Sequence, residues 1–149
     1  MNQVKNFKEF IERGIVKKQF PNKSRAEFLI NESKRSYNFL LELIKKIGAT
    51  DESANNIVKS CYDLLMELIR AKMLAEGYNA SGYKAHEAEV SYMRILGFNE
   101  NDVQFTDQMR FFRNGMLYYG TILDKEYAEK VIEFTNKNYL KLKKILEKD

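Results

Sequence analysis

One short stretch of the chain holds most of the side chains that could bind a nucleic acid or a nucleotide. The candidates are Arg110, Arg113, Asn114, Tyr118 and Tyr119. An arginine can bind a phosphate through two parallel N–H groups, and an aromatic ring can stack on a base. The same residue types also close helical cores, with the arginine stems packed along apolar side chains. Composition alone favours the core interpretation, so the choice depends on further observations.

The remaining inventory excludes several kinds of chemistry. With a single histidine, His86, and a single cysteine, Cys61, one chain cannot form a Cys/His zinc site or an internal disulfide. The P-loop, Gly-x-Gly-x-x-Gly, Gly-x-Ser-x-Gly and His-Glu-x-x-His motifs are all missing. We therefore predict no metal and no cofactor. Cys61 lies on a helical apolar stripe, which predicts that its side chain is buried. The simplest role for His86 is a structural hydrogen bond, and it could act as a base only beside Arg113.

The elements that position these residues are predicted to be helices. One proline, seven glycines and 31% charged residues suit long helices and leave few turns for a β fold. Apolar residues at helical spacing predict segments that begin near residues 4, 24, 51, 83, 99 and 124. The expected fold is all-α: an antiparallel four-helix up-down bundle at residues 21–149. An amphipathic helix at residues 1–20 precedes it, and a short helix separates the second and third bundle helices.

Polar residues next to these apolar patterns predict where helices begin. Ser24 followed by Glu27 matches a capping box, and Asn99 and Asp124 are predicted N-caps of the last two helices. Residues 78–82 contain Asn, Ser and Gly and are predicted to form the clearest loop.

Charge and hydropathy give weaker indications. Residues 1–25 hold seven basic and two acidic side chains, a local charge of +5 within a net charge of +4. A basic end favours nucleic acid, although lysine-rich helices also arise for solubility, and the lysines near the carboxyl end fit a solvated helix face. The chain shows no signal peptide and no apolar run long enough to span a membrane, so we predict a cytoplasmic protein without a membrane partner.

Two segments of the chain resemble the HEPN domain superfamily. The first, at residues 78–87, reads Tyr-Asn-Ala-Ser-Gly-Tyr-Lys-Ala-His-Glu between two predicted bundle helices, and the second, at residues 112–120, reads Phe-Arg-Asn-Gly-Met-Leu-Tyr-Tyr-Gly. The resemblance covers roughly residues 24–146 and includes the order of the helices. It implies an α-helical bundle that is commonly dimeric. Many members of the family are metal-independent endoribonucleases or toxin subunits paired with a minimal nucleotidyltransferase.

The family's ribonuclease motif is an arginine, four to six variable residues and a histidine, often with a polar residue directly after the arginine. These positions fall on Arg113, on Asn114, and on Tyr118 with Tyr119 as the other option. The histidine is therefore missing, and Gly120 stands where toxin members carry a further tyrosine. The ordinary pKa of a tyrosine is about 10, so this side chain is a poor base at neutral pH. The resemblance implies Arg113 and Tyr118 as the catalytic positions, with cleavage weakened or lost.

Helix geometry places a condition on this site. Five residues along a helix advance about 140° beyond a full turn, so Arg113 and Tyr118 share a side only if the helix opens near Gly115. Two copies facing each other across a dimer seam would remove that condition. Arg110 adds either a second phosphate contact or an ion pair with Asp107.

Three functions follow from these observations. The leading hypothesis is a dimeric HEPN-like domain that binds RNA or a nucleotide through Arg110, Arg113, Asn114, Tyr118, Tyr119 and His86. The second is a protein-interaction subunit that docks a nucleotidyltransferase or another helical partner. The third is an active metal-independent endoribonuclease that uses Tyr118 or His86 as its proton carrier.

Overall fold

The computed structural model describes residues 3–148 of the chain. This part of the chain forms helices together with one small sheet. The elements are α1 (Phe7–Glu12), β1 (Val16–Lys18), α2 (Lys23–Lys46), α3 (Ala54–Ala75), β2 (Tyr78–Ala80), α4 (Ala85–Ser91), α5 (Glu100–Tyr118) and α6 (Lys125–Glu147), with a 3-10 turn (Tyr92–Arg94) after α4. The predicted all-α class is confirmed, and the up-down order of a four-helix bundle stays a prediction.

Helix α3 lies at the centre of the fold. It buries 14 of its 22 residues, so almost its whole circumference is covered by other elements. A helix that is apolar on most sides is stable only when neighbours surround it. Its buried side chains include Ile57, Val58, Leu64, Leu65, Leu68, Ile69 and Met73. Cys61 is buried among them, as predicted, and burial raises the pKa of its thiol to about 11.

Helix α2 runs antiparallel to α3. Near its beginning, the Asn22 amide donates a 2.9 Å hydrogen bond to the Leu74 carbonyl. Near the middle of α2, the buried Ser33 hydroxyl donates a 2.7 Å hydrogen bond to the Leu64 carbonyl. Residues later in α2 therefore contact residues earlier in α3, as expected for two long antiparallel helices joined by a short link.

Aromatic side chains join α6 to both α2 and α5. The Tyr37 and Tyr139 rings stack with centroids 4.0 Å apart, which connects α2 to α6. The Phe105 ring of α5 lies 4.6 Å from the Phe134 ring of α6. Pairs of this kind stabilise packing by about 0.5–1.5 kcal/mol beyond the area that they bury. Helices α2, α3, α5 and α6 therefore share one core.

The amino-terminal segment differs from the amphipathic helix predicted at residues 1–20, of which residues 1 and 2 lie outside the described part of the chain. The helix α1 has only six residues, and the chain turns at Gly14, which has a φ of +75°. The β-branched pair that follows favours extended backbone, and Val16 pairs with Ala80 in an antiparallel sheet of β1 and β2. Part of the predicted loop at residues 78–82 is therefore a strand. Phe7 is buried in the main core.

The predicted helix caps are confirmed at two of three positions. The Asn99 side chain accepts a hydrogen bond from the Asp102 amide, and the Asp124 side chain accepts one from the Tyr127 amide. The prediction for α2 was wrong, because Asn22 caps it in place of Ser24. Asparagine and serine are comparable caps by residue type, and here the Asn22 side chain accepts a 3.1 Å hydrogen bond from the Arg25 amide. None of the helices within residues 3–148 combines the length with the apolar composition that a membrane span requires.

Candidate site for a nucleotide or nucleic acid

Charged side chains of α3, α4 and α5 pair with one another, and together they are termed the charged layer. Its members are Asp63 and Arg70 on α3, His86, Glu87 and Glu89 on α4, and Asp107, Arg110 and Arg113 on α5. The layer contains three of the residues predicted from the sequence: His86, Arg110 and Arg113.

One end of the charged layer is built on Glu89. Its carboxylate is only 3% exposed and accepts hydrogen bonds of 2.6 and 3.0 Å from Arg70. The His86 Nδ1 lies 3.2 Å from the same carboxylate, and its ring centroid lies 6.5 Å from that of Tyr62. Burial by itself would raise the pKa of Glu89, but hydrogen bonds and charge from His86 and Arg70 hold that pKa below its ordinary value. His86 therefore has the structural partner predicted for it.

Arg110 occupies the middle of the charged layer. Its Nε donates a 2.7 Å hydrogen bond to Asp107, and its Nη1 lies 3.6 Å from a Glu87 oxygen. Burial disfavours its charged form, but the hydrogen bond to Asp107 and the charges of both carboxylates outweigh this effect and raise the pKa of Arg110. Of the two predicted roles, the structure provides the ion pair with Asp107. A cleft of about 360 Å³ adjoins it, lined among others by Lys5, Lys84 and Phe111.

Arg113 joins α5 to α3 through a bidentate ion pair. Its Nε and Nη2 donate hydrogen bonds of 2.7 and 3.3 Å to the two oxygens of Asp63. Neither side chain is fully buried. Within residues 3–148, the Nη1 of Arg113 has no hydrogen-bond partner. The guanidinium is thus held in one orientation with two of its three nitrogens engaged.

Tyr62 on α3 carries a hydroxyl group that is buried beside the charged layer. It is 2% exposed, and its hydroxyl has no hydrogen-bond partner among the described residues. Its pKa is raised, first by burial and then by the charges of Glu89 and Asp63, while Arg110 and Arg113 act in the opposite direction. A phenol at this position remains protonated and is able to donate a hydrogen bond.

The end of α5 presents the two tyrosines to solvent. Tyr118 is 75% exposed and Tyr119 is 86% exposed, while Asn114 is half-buried. The helix continues without interruption through Gly115 to Tyr118. Arg113 and Tyr118 are therefore separated by about 140° around the axis. The condition that the helix opens near Gly115 is not met, so one chain does not present these two side chains on the same side.

Gly115 has a different role, which is to let the chain fold back after α5. The Thr121 amide donates a 3.1 Å hydrogen bond to the Gly115 carbonyl. A Cβ at position 115 would lie 2.3 Å from the Thr121 hydroxyl oxygen, which is closer than van der Waals contact allows. The small residue thus sets the path of the α5–α6 link and, with it, the direction in which Tyr119 leaves the helix.

Asn55 on the first turn of α3 fixes this link at two points. Its Nδ2 donates a 2.8 Å hydrogen bond to the Thr121 carbonyl, and its Oδ1 accepts a 2.8 Å hydrogen bond from the Leu123 amide. A single side chain therefore satisfies a donor and an acceptor of the loop that follows Tyr119.

Asn55→Ala is expected to lower the free energy of unfolding by about 1–3 kcal/mol, because each lost hydrogen bond contributes about 0.5–1.5 kcal/mol. Urea denaturation measures this change, and amide hydrogen exchange at Thr121 and Leu123 should accelerate. Asn56→Ala is the matched control, since the neighbouring Asn56 is exposed. Equal effects of the two substitutions would contradict the role given to Asn55.

Metal chemistry finds no support in the described residues. Within residues 3–148, no group of three or more His, Cys, Asp or Glu side chains is arranged to hold a metal ion. The acidic members of the charged layer instead pair with arginines, and their carboxylate oxygens accept hydrogen bonds from the guanidinium groups.

Comparison with family models, curated proteins and solved structures gives no match to this chain. The HEPN superfamily therefore stands as a resemblance carried by residues 78–87 and 112–120.

Proposed function

We propose that this chain is a HEPN-like four-helix bundle that binds RNA or a nucleotide at the end of α5. The observation that carries the proposal is the exposure of Tyr118 and Tyr119 at the end of the helix that also bears Arg113. Stacking of a base on an aromatic side chain contributes about 1–3 kcal/mol and does not depend on the identity of the base. Exposed tyrosine rings add nothing to the packing of the core, but they are available to stack on such a ligand.

The ion pair with Asp63 is compatible with phosphate binding by Arg113. Asp63 engages the Nε and Nη2 of the guanidinium, and the third nitrogen, Nη1, has no hydrogen-bond partner within residues 3–148. A guanidinium fixed in orientation loses less side-chain entropy when it binds a ligand. The neighbouring carboxylate weakens the attraction for a phosphate, so the contribution of Arg113 is one directed hydrogen bond.

The complete site is proposed to require two copies of the chain. Within one copy, Arg113 and Tyr118 point to different sides of α5. A symmetric pair that meets along α5 would place Arg113 of each copy near Tyr118 of the other. This arrangement agrees with the dimers that the HEPN resemblance implies.

Cleavage by this site is proposed to be weak or lost. The position that carries the proton-transferring histidine in the family is Tyr118, and tyrosine is an inefficient base at neutral pH. His86, the other candidate, is engaged with Glu89. Binding through Arg113, Asn114 and the tyrosines persists without a base.

Arg113→Ala is expected to weaken the binding of a short single-stranded RNA by about 10- to 100-fold, the loss of one hydrogen bond between charged groups. Fluorescence anisotropy measures the Kd. Asp63→Asn is the matched control, because it breaks the same ion pair and keeps the guanidinium. Unchanged affinity in Arg113→Ala would refute the assignment of this arginine.

Tyr118→His tests the relation to the family's ribonucleases. The substitution restores the residue type that the motif places here, so a gain of RNA cleavage in the presence of EDTA would support descent from a metal-independent nuclease. Cleavage by the unmodified chain that disappears in Tyr118→Phe or His86→Ala would instead support the active endoribonuclease.

A second candidate function is a protein-interaction subunit, which one specific observation favours. Several large apolar side chains around the end of α5 are exposed: Phe111, Leu117, Tyr118, Tyr119 and Ile122. Exposed apolar patches often mark protein interfaces. Co-purification of a stoichiometric protein partner, such as a nucleotidyltransferase, without bound nucleic acid would favour this function over RNA binding.

A further inference from the structure

The turn between β1 and α2 displays an aromatic ring far outside the core. Phe20 is 94% exposed, the highest value of any large hydrophobic residue in the described part of the chain. An exposed phenylalanine gains nothing from packing and adds apolar surface to water. Its position therefore calls for an explanation other than stability.

The backbone on both sides of Phe20 is firmly held. The Gln19 amide donates a 2.8 Å hydrogen bond to the Gly77 carbonyl, and the Asn22 amide donates a 2.9 Å hydrogen bond to the Leu74 carbonyl. The Asn22 side chain also caps α2. The ring is thus presented from a fixed turn, so little conformational entropy is lost when a partner binds it.

Four cations surround this ring in the sequence. They are Lys17, Lys18, Lys23 and Arg25, and all four are exposed. None of the four forms an ion pair with a residue between 3 and 148. Together with Phe20 they are termed the basic loop. Its positive charge is therefore not neutralised by neighbouring carboxylates in ion-pair contact.

The combination of an exposed ring and unpaired cations matches the chemistry of single-stranded nucleic acid. Lysine and arginine attract phosphates, and an aromatic ring stacks on any base. A membrane surface is a poorer fit, because interfacial binding depends on an apolar face of several side chains and the basic loop offers one.

We propose that the basic loop is a contact for single-stranded RNA, in which Phe20 stacks on a base and the four cations bind phosphates. The contact is separate from the end of α5. Leu74 and Asn55, which hold the two regions, are 19 residues apart on α3, and this separation corresponds to about 28 Å along the helix axis. The inference shares only its ligand class with the proposed function.

Phe20→Ala is expected to weaken the binding of a fluorescein-labelled oligouridylate by about 5- to 100-fold, the equivalent of one lost stacking contact. Fluorescence anisotropy measures the Kd, and thermal unfolding should be unchanged because the ring is exposed. Phe39→Ala is the matched control, since Phe39 is an exposed aromatic residue on α2.

The phosphate contacts are tested by the salt dependence of binding. The double variant Lys17→Ala, Lys18→Ala should reduce the slope of log K against log salt by about 1.4, since each single-strand phosphate contact contributes about 0.7. The double variant Lys34→Ala, Lys137→Ala removes the same charge from exposed positions within α2 and α6 and should leave the slope unchanged. Equal slopes for the two double variants would overturn the proposal.

The remaining outcomes separate this contact from the α5 site and from a membrane. Loss of affinity in Phe20→Ala but not in Arg113→Ala supports the basic loop and contradicts the α5 site, and the reverse pattern overturns the basic loop. If wild-type protein binds phosphatidylserine vesicles, and Phe20→Ala abolishes that binding without changing the Kd for RNA, the partner is a membrane surface and the RNA contact is wrong.

Discussion

Arg70→Met is expected to lower the free energy of unfolding by about 3–5 kcal/mol, the usual cost of removing one partner from a buried ion pair. The substitution leaves the Glu89 carboxylate, which is almost fully buried, without the two hydrogen bonds that Arg70 donates at 2.6 and 3.0 Å. Only the 3.2 Å contact with His86 would remain. Urea denaturation at neutral pH measures the change, and a loss below about 0.5 kcal/mol, typical of a surface substitution, would contradict it.

The ion pair between Arg70 and Glu89 also makes the free energy of unfolding depend on pH. Because the pKa of Glu89 is lowered in the folded chain, its contribution is complete above the unfolded pKa of about 4.3 and is lost as pH falls through the lower folded pKa. In Arg70→Met, burial is no longer opposed by the guanidinium, so the pKa of Glu89 rises and the acid loss begins at a higher pH. Free energies of unfolding measured for both proteins between about pH 7 and about pH 3 test which of them loses stability at the higher pH. Glu89→Gln should lack this acid-dependent loss.

A double variant separates the charge effect from the loss of packing. Arg70→Met, Glu89→Met removes both charges and keeps side chains of similar volume, and such replacements are often neutral or stabilising. We therefore expect the double variant to be more stable than Arg70→Met alone. A double variant that is less stable would show that the cost lies in packing around Arg70 and not in an unpaired carboxylate.

Gly77→Ala is expected to lower the free energy of unfolding by about 3 kcal/mol or more. The residue has a φ of +87°, a conformation that costs a residue with a Cβ about 1–2 kcal/mol. The added Cβ would also lie 2.6 Å from the Gln19 carbonyl oxygen, a backbone atom that cannot rotate away. The turn must then shift, which breaks the hydrogen bond from Gln19 to Gly77.

Gly82→Ala is the matched control for the steric part of this effect. Gly82 has a similar φ of +79°, but a Cβ there would meet no atom within 4 Å. Its expected cost is therefore the conformational strain alone, about 1–2 kcal/mol. Chemical denaturation of both variants measures the difference, and equal losses would mean that the close approach of Gln19 does not constrain the basic loop.

Local patterns were sufficient for much of the helical organisation. Asn99 and Asp124 cap their helices because a cap depends only on residues within the first turn. The burial of Cys61 followed from its place on an apolar stripe. The helix predicted at the amino terminus was wrong because it depended on local pattern alone. Strand β1 forms because Val16 pairs with Ala80, which is 64 residues later in the chain. No periodicity within residues 4–19 carries information about that partner.

The candidate site divides in the same way. The proximity of Arg110, Arg113, Asn114 and the two tyrosines along the chain follows from the sequence, because they lie within residues 110–119. The pairing of Arg113 with Asp63 and of Arg70 with Glu89 is visible only in the folded chain, since these partners are 50 and 19 residues apart. Ion pairs between helices depend on the angle and register of packing. Those are properties of the assembled core, and a pattern of residue types along one helix does not specify them.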